Sequence, residues 1–301
     1  MNKVITNSFK AWILAARPKT LTGAMIPVML GCALAVKDGY FQEIPALLCF
    51  LFAMLMQINA NFINDYFDFV KGSDREDRLG PERACSMGWI TLSAMRKGIV
   101  LTTLAACVVG LCCVIFYAGI ELIIVGLLCV IFAFLYTAGP YPLAYHGWGD
   151  LLVLVFFGFV PVGFTYYIMS DQWTWEVTVA SIACGLVTDT LLMVNNYRDR
   201  EQDAISGKKT IVVRWGEKAG STLYLMLGWM AAFSCVFFVL SEDKLLIWAA
   251  LLPQFYLWPH YTTWKEMEKI HKGKGLNLIL GKTSRNMLLF GILLTIGLLL
   301  Y

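Results

Sequence analysis

The chain has 301 residues, of which 58% are hydrophobic and 15% charged, against about 25% charged in soluble domains. That shortage of polar surface excludes a free soluble domain of this length and makes lipid the expected solvent. The net charge of +3 says little by itself, no nucleic-acid partner is expected, and the nine cysteines form no CxxC pair, which argues against a disulfide or metal framework.

In chain order, Arg17, Pro18 and Lys19 interrupt the first apolar region and no small-residue cleavage pattern follows, so a cleavable signal peptide is not expected. A membrane-crossing helix needs about 20 apolar residues. Nine stretches qualify: 20–37, 44–63, 98–117, 120–138, 150–169, 174–196, 221–240, 244–262 and a short 287–301. The third and fourth are separated by a tight turn near Gly119, with Glu121 at the interface. The fold class read from this is all-α, a polytopic membrane protein of about nine transmembrane helices. The loops after the first, third, fifth and seventh stretches are short. Those after the second, sixth and eighth are long and charged, and the loop 139–149 is rich in Gly, Pro and Tyr with no Lys or Arg. With the N-terminus placed in the cytoplasm, only Lys37 and Lys244 of the 24 basic residues fall on the far side. Cytoplasmic loops carry an excess of Lys and Arg, so the partition supports nine crossings with the N-terminus inside.

Two segments repeat. Asn64-Asp65-Tyr66-Phe67-Asp68 closes the second stretch and is followed by Lys71-Gly72-Ser73-Asp74. Asn195-Asn196-Tyr197-Arg198-Asp199 closes the sixth and is followed by Asp203. Residues four apart share one helix face, so Asn64 and Asp68 form one stripe of oxygen donors and Asn195, Asp199 and Asp203 another. Mg²⁺ takes such hard oxygens, usually through one or two carboxylates plus substrate phosphates. An Asp at the centre of a membrane helix costs roughly 2.5–3.5 kcal/mol, which a bound cation or a basic partner offsets. Lys71, Arg75, Arg78, Lys208 and Lys209 are candidates to clamp diphosphate oxygens. Metal and basic groups neutralise charge developing on a leaving diphosphate while an electron-rich aromatic carbon attacks the allylic carbon. The rival reading from another class is a polytopic transporter. It is disfavoured because the acids cluster at helix ends rather than along a midplane path. His146, His260 and His271 lack metal-ligand spacing, although His146 lies in a loop where it could touch an acceptor. Asp189, two turns before Asn195, is an intramembrane acid expected to face a basic partner.

At these motifs the sequence resembles the UbiA superfamily of intramembrane aromatic prenyltransferases. Within it, the chain is similar to the branch that prenylates 1,4-dihydroxy-2-naphthoate in menaquinone synthesis. The resemblance runs through Arg17-Pro18-Lys19-Thr20, Asn64-Asp65-Tyr66 to Gly72-Ser73-Asp74, and Arg78-Leu79-Gly80-Pro81. It continues through Tyr136-Thr137-Ala138-Gly139-Pro140, Asn195-Asn196-Tyr197-Arg198-Asp199, and Asp203 with Gly207-Lys208-Lys209-Thr210. The superfamily's NxxxDxxxD motif is met by Asn64 and Asp68 but has Gly72 at its third position, which leaves Asp65 or Asp74 as the missing acid. Its DxxxD motif is met by Asp199 and Asp203.

The resemblance implies a single transmembrane prenyltransferase domain over 1–301, with its helices around a central cavity under cytoplasmic caps at about 64–97 and 197–220. It implies Asn64, Asp68, Asp199 and Asp203 as catalytic residues. Asn64, Asp68, Asp74, Asn195, Asp199 and Asp203 are implied as Mg²⁺ ligands, and Lys71, Arg75, Arg78, Arg198, Lys208 and Lys209 as the diphosphate clamp. The implied partners are a polyprenyl diphosphate, dihydroxynaphthoate and membrane lipid. The implied product is demethylmenaquinone, formed with loss of CO₂ at a bacterial inner membrane with the site facing the cytoplasm. Another acceptor, such as 4-hydroxybenzoate, is the alternative within the superfamily.

Overall fold

A computed structural model describes residues 4–73, 78–241 and 243–300. Asp74 and Arg75, two of the expected site residues, lie outside the described residues. Every regular element among the described residues is helical.

The chain opens with α1 (Phe9–Ala16), capped by Ser8, whose hydroxyl accepts the Ala11 N–H at 3.3 Å. Arg17 adopts a left-handed backbone (φ 51°) and Pro18 follows, so the helix stops. The chain then bends by 54° into α2 (Thr22–Lys37). After it come α3 (Glu43–Val70), α4 (Leu92–Tyr117), α5 (Leu122–Thr137) and α6 (Gly149–Ser170), whose middle, Leu154–Gly163, winds as a π-helix. The long α7 (Trp175–Ile205) is capped by the Thr174 hydroxyl. Next are the short α8 (Ile211–Trp215) and α9 (Glu217–Ser234), which tightens into a 3₁₀ turn at Cys235–Leu240. Residues 244–256 alternate between short 3₁₀ and α turns before α10 (Leu257–Ile270) and α11 (Leu276–Leu299).

Six of these helices are long and apolar enough to cross a membrane, and the bent pair α1–α2 makes a seventh. The difference from nine stretches has two sources. The stretch 120–138 becomes a helix of only 16 residues, and 244–262 is broken into short turns around Pro253. Several helices also outrun their apolar stretches. The 28 residues of α3 and 31 of α7 extend about 42 and 46 Å at 1.5 Å per residue, against about 30 Å of hydrocarbon. The polar repeats are the last turns of these two helices, not loops beyond them.

The centre of the bundle is α7, whose Val177, Ala180, Ala183, Cys184, Val187, Met193 and Val194 are fully buried. Small residues let backbones approach where lipid supplies no hydrophobic drive. A methyl group on Gly158 of α6 would sit 2.4 Å from the Ser181 carbonyl oxygen of α7. Polar pairs stitch other helices together. Asn59 of α3 accepts from Thr102 and donates to Thr103 of α4, both at 2.9 Å. Tyr224 of α9 and Thr283 of α11 share a 2.9 Å hydrogen bond.

Candidate active site

Both motif helices end in the same way. At α3, the Ser73 N–H returns to the Asp68 carbonyl at 2.9 Å and the Gly72 N–H to Phe69 at 3.0 Å, with Gly72 at φ +71°. At α7, the Lys208 N–H returns to the Asp203 carbonyl at 2.8 Å and the Gly207 N–H to Ala204 at 3.3 Å, with Gly207 at φ +79°. These are paired Schellman ends, in which a left-handed glycine lets the chain satisfy the last carbonyls.

On the α3 side, Asp68 is 4% exposed. Its Oδ2 accepts from Arg83 Nη1 at 2.7 Å and its Oδ1 from the Tyr145 hydroxyl at 3.2 Å. The same Arg83 nitrogen donates to the Asn64 carbonyl at 2.8 Å, and the Asn64 side-chain oxygen accepts from the Thr137 hydroxyl. Tyr145 also shares a 2.6 Å hydrogen bond with the Ser73 hydroxyl. Its ring lies under two ammonium groups, Lys71 at 5.1 Å and Lys208 at 5.0 Å from the ring centre. Burial and the neighbouring Asp68 carboxylate push the Tyr145 phenol up to about 12, so at neutral pH it donates. Asp65, one residue round the helix, is fully buried and faces away. It accepts the Ala84 and Cys85 N–H groups at 2.9 and 3.0 Å, with Arg17 3.9 Å away. Asp65 thus anchors the backbone that presents Arg83.

On the α7 side, Arg198 grips Asp199 with a two-pronged fork at 2.7 and 2.6 Å. Arg198 is 2% exposed, and its remaining Nη1 donates to the Asn277 side-chain oxygen at 3.0 Å. Asp203, a turn further on, pairs with Lys208 at 3.6 Å. Asn195 donates back to the Leu191 carbonyl at 3.1 Å.

The two sides face one another at the polar end of a cavity of about 620 Å³. Asn64, Asp68, Arg78, Arg83, Asn195, Arg198, Asp199, Asp203 and Lys208 all line it. Away from that end the wall becomes apolar, built from α2, α3, α4, α5 and α6 by residues such as Phe52, Met56, Leu111, Val130 and Phe156. A charged head and a long greasy tail are the chemical features such a cavity accepts.

The donor set suits a hard cation. Asp68, Asp199, Asp203, Asn64 and Asn195 offer oxygens from two helices across one end of the cavity. Among the described residues no three acidic, His or Cys side chains already form a cage, and the carboxylates are held instead by Arg83, Arg198 and Lys208. That arrangement fits Mg²⁺, which is commonly held by one or two carboxylates with phosphate oxygens completing its shell.

Of the expected clamp residues, Arg78, Arg198 and Lys208 line the cavity. Lys71 and Lys209 do not: Lys71 donates to the Thr137 carbonyl, and the Lys209 N–H donates to the Tyr145 carbonyl at 2.8 Å. His146 stacks on Tyr141 with ring centres 3.5 Å apart, outside the cavity wall. Among the described residues Asp189 has no basic partner. Its charged neighbour is another acid, Asp150, and its Oδ1 has no hydrogen-bond partner among the described residues. Sequence reasoning missed the roles of Arg83, Tyr145 and Asn277. Arg83 and Asn277 sit in stretches that read as charged loop, and Tyr145 in a turn. A signal was present for Tyr145 alone, an aromatic in a loop free of Lys and Arg.

The sequence model of the UbiA prenyltransferase family matches residues 24–277. The 1,4-dihydroxy-2-naphthoate octaprenyltransferase of Escherichia coli (strain K12) is 34% identical over 300 residues, covering 97% of this chain and 96% of that protein. The protein of the same description from Haemophilus influenzae is 35% identical over 251 residues, covering 79% of this chain and 80% of its own. The fold is shared with a UbiA homolog from Archaeoglobus fulgidus bound to GPP and Mg²⁺, with a TM-score of 0.70 at 14% identity, over 96% of this chain and 99% of that one. This chain belongs to the UbiA prenyltransferase family, and it is an integral membrane protein.

Proposed function

We propose that the protein transfers a polyprenyl group from its diphosphate to 1,4-dihydroxy-2-naphthoate with loss of CO₂, giving demethylmenaquinol, the reduced form of demethylmenaquinone, in a Mg²⁺-dependent reaction. The observation that carries this reading is the meeting of Asp68 of α3 with Asp199 and Asp203 of α7 at the charged end of an otherwise apolar cavity. The naphthoate assignment rests on the relatives named above, 34 and 35% identical over most of the chain.

Asp68, Asp199 and Asp203, with Asn64 and Asn195, would hold the cation. Held there, Mg²⁺ would supply charge neutralisation for the leaving diphosphate. Arg78, Arg198 and Lys208 take the outer diphosphate oxygens. Arg83 keeps Asp68 oriented, and Tyr145 fixes it from the other side. The apolar wall takes the prenyl tail and keeps water from the reacting carbon. The allylic C–O bond breaks with its electron pair going to the diphosphate, and the ring carbon that bears the carboxylate bonds to the allylic carbon. The C–CO₂⁻ bond then breaks and returns its pair to the ring, so the exchange balances without a proton from solvent.

The same reading covers the membrane arrangement. The chain forms one transmembrane domain in a bacterial inner membrane, with its N-terminus and site on the cytoplasmic side; the 16-residue α5 and the broken segment 244–262 add to the seven candidate spans to make nine crossings. The placement of all but Lys37 and Lys244 among the 24 basic residues on one side supports it.

The test is turnover by the purified protein in detergent with 1,4-dihydroxy-2-naphthoate, a long prenyl diphosphate, and either Mg²⁺ or EDTA. A prenylated, decarboxylated product that disappears with EDTA is expected. Product with 4-hydroxybenzoate alone would keep the family and discard this acceptor.

A further inference from the structure

A short strap, residues 78–83, crosses between the two halves of the site. At one end Arg83 pairs with Asp68 of α3. At the other, Leu79 is gripped twice: its N–H by the Gln202 side chain of α7 at 3.4 Å, its carbonyl by the Asn277 amide of α11 at 2.8 Å. Between these ends Gly80 passes directly over Arg198, where an added methyl group would sit 2.8 Å from Nη2. The Asn277 amide therefore has two partners on two different elements. It accepts from Arg198 through its oxygen and donates to the strap through its nitrogen. Asn277 lies in the first turn of α11.

We propose that Asn277 is a positioning residue for the diphosphate end of the site. It fixes the Arg198 guanidinium, and through it the Asp199 carboxylate, while tying the strap that carries Arg83 to the same point. Asp199 spends one lone pair of each oxygen on the Arg198 fork, and a carboxylate offers about four lone-pair sites. The direction of the rest toward the cavity depends on where Arg198 is held. This inference rests on the prenyl-diphosphate reading above and adds a residue to it from an element far along the chain.

Two variants test it. Asn277→Leu removes both contacts, whereas Asn277→Asp keeps an acceptor for Arg198 and loses the donor to Leu79. Losing a hydrogen bond to a charged group predicts, for Asn277→Leu, a KM for the Mg²⁺–prenyl diphosphate raised about tenfold, with the acceptor KM within about twofold of its starting value. Asn277→Asp gives the smaller KM change. The second readout is amide hydrogen exchange of peptides covering 78–85, with and without Mg²⁺ and inorganic pyrophosphate. Exchange there should be faster in both variants, and the slowing by Mg²⁺–pyrophosphate expected in the unmutated protein should be lost in Asn277→Leu.

Unchanged exchange together with an unchanged diphosphate KM would overturn the proposal. So would an equal loss of kcat and both substrate affinities in step with a lowered melting temperature, which is the mark of a purely structural residue. If Asn277→Leu does not fold, Asn277→Asp decides by the same two readouts. The exchange arm uses no acceptor. Failure to prenylate dihydroxynaphthoate would therefore undo the acceptor assignment and leave this result standing.

Discussion

The pair Arg83–Asp68 offers the sharpest stability test, because both partners are withdrawn from water at 8% and 4% exposure. Arg83→Met keeps the length of the side chain and removes its charge. Asp68 is then a buried carboxylate with only the Tyr145 hydroxyl left from the bonds described above, and breaking one side of such a pair typically costs about 3–5 kcal/mol. The Asn64 carbonyl loses its Arg83 donor as well, adding about 1 kcal/mol. Neutralising both partners in Arg83→Met/Asp68→Asn removes the stranded charge, so the double variant should recover all but about 1–2 kcal/mol. The assay is denaturant-induced unfolding in detergent, without divalent cations, run as a double-mutant cycle. The expected coupling is about 3 kcal/mol. Turnover should be lost in the double variant despite its recovered stability, since Asp68 is gone. A destabilisation under about 1 kcal/mol in Arg83→Met, or a double variant equal to the sum of the singles, would refute a buried, mutually dependent pair.

Two further outcomes follow from the same site. Tyr145→Phe removes the hydroxyl shared with Ser73 and Asp68 and should lower kcat/KM by about fivefold to tenfold. The phenol of folded Tyr145 is raised to about 12 from about 10 unfolded. Its contribution to stability is therefore complete below about pH 10 and lost as pH climbs through the folded value, so unfolding profiles of Tyr145→Phe and the unmutated protein should run parallel from pH 7 to 9. Gly72→Ala and Gly207→Ala place a Cβ on left-handed turns at φ +71° and +79°. Each should cost about 1–2 kcal/mol, and thermal unfolding in detergent checks it.

Much of the fold was legible because lipid demands long apolar runs, and the runs at 44–63 and 174–196 do mark α3 and α7. The ends of those helices were not. The apolar runs stop at residues 63 and 196, whereas backbone hydrogen bonding continues to Val70 and Ile205, with Asp68, Asp199 and Asp203 facing a cavity instead of lipid. Charged side chains hid the start of α11. Leu276–Arg285 carries Lys282 and Arg285 and reads as loop, yet it is the first part of a 24-residue helix and contains Asn277. Periodicity identified the acids because four-residue spacing is local. The partners Arg83, Tyr145 and Asn277 came from elsewhere in the chain, and no local rule ties them to Asp68 or Arg198.

The repeated motif shows how sequence and structural register can differ by one helical turn. The pattern N-[DN]-Y-x-D matches Asp68 with Asp199. The helix ends match Asp68 with Asp203, since each lies four residues before a left-handed glycine and has its carbonyl taken by the N–H five residues on. In that second register Asp199 lies one turn, about 6 Å, further into the bundle, and its counterpart on α3 is Asn64, an amide. The site is therefore asymmetric, with two carboxylates on α7 and one on α3. Gly72 occupies the third position of the first motif because α3 has already ended there. Asp65 lies outside the cavity wall, where its two oxygens accept the Ala84 and Cys85 N–H groups. By holding the backbone just after Arg83, Asp65 helps to fix Arg83 against Asp68, so it acts through the one carboxylate that α3 presents to the cavity.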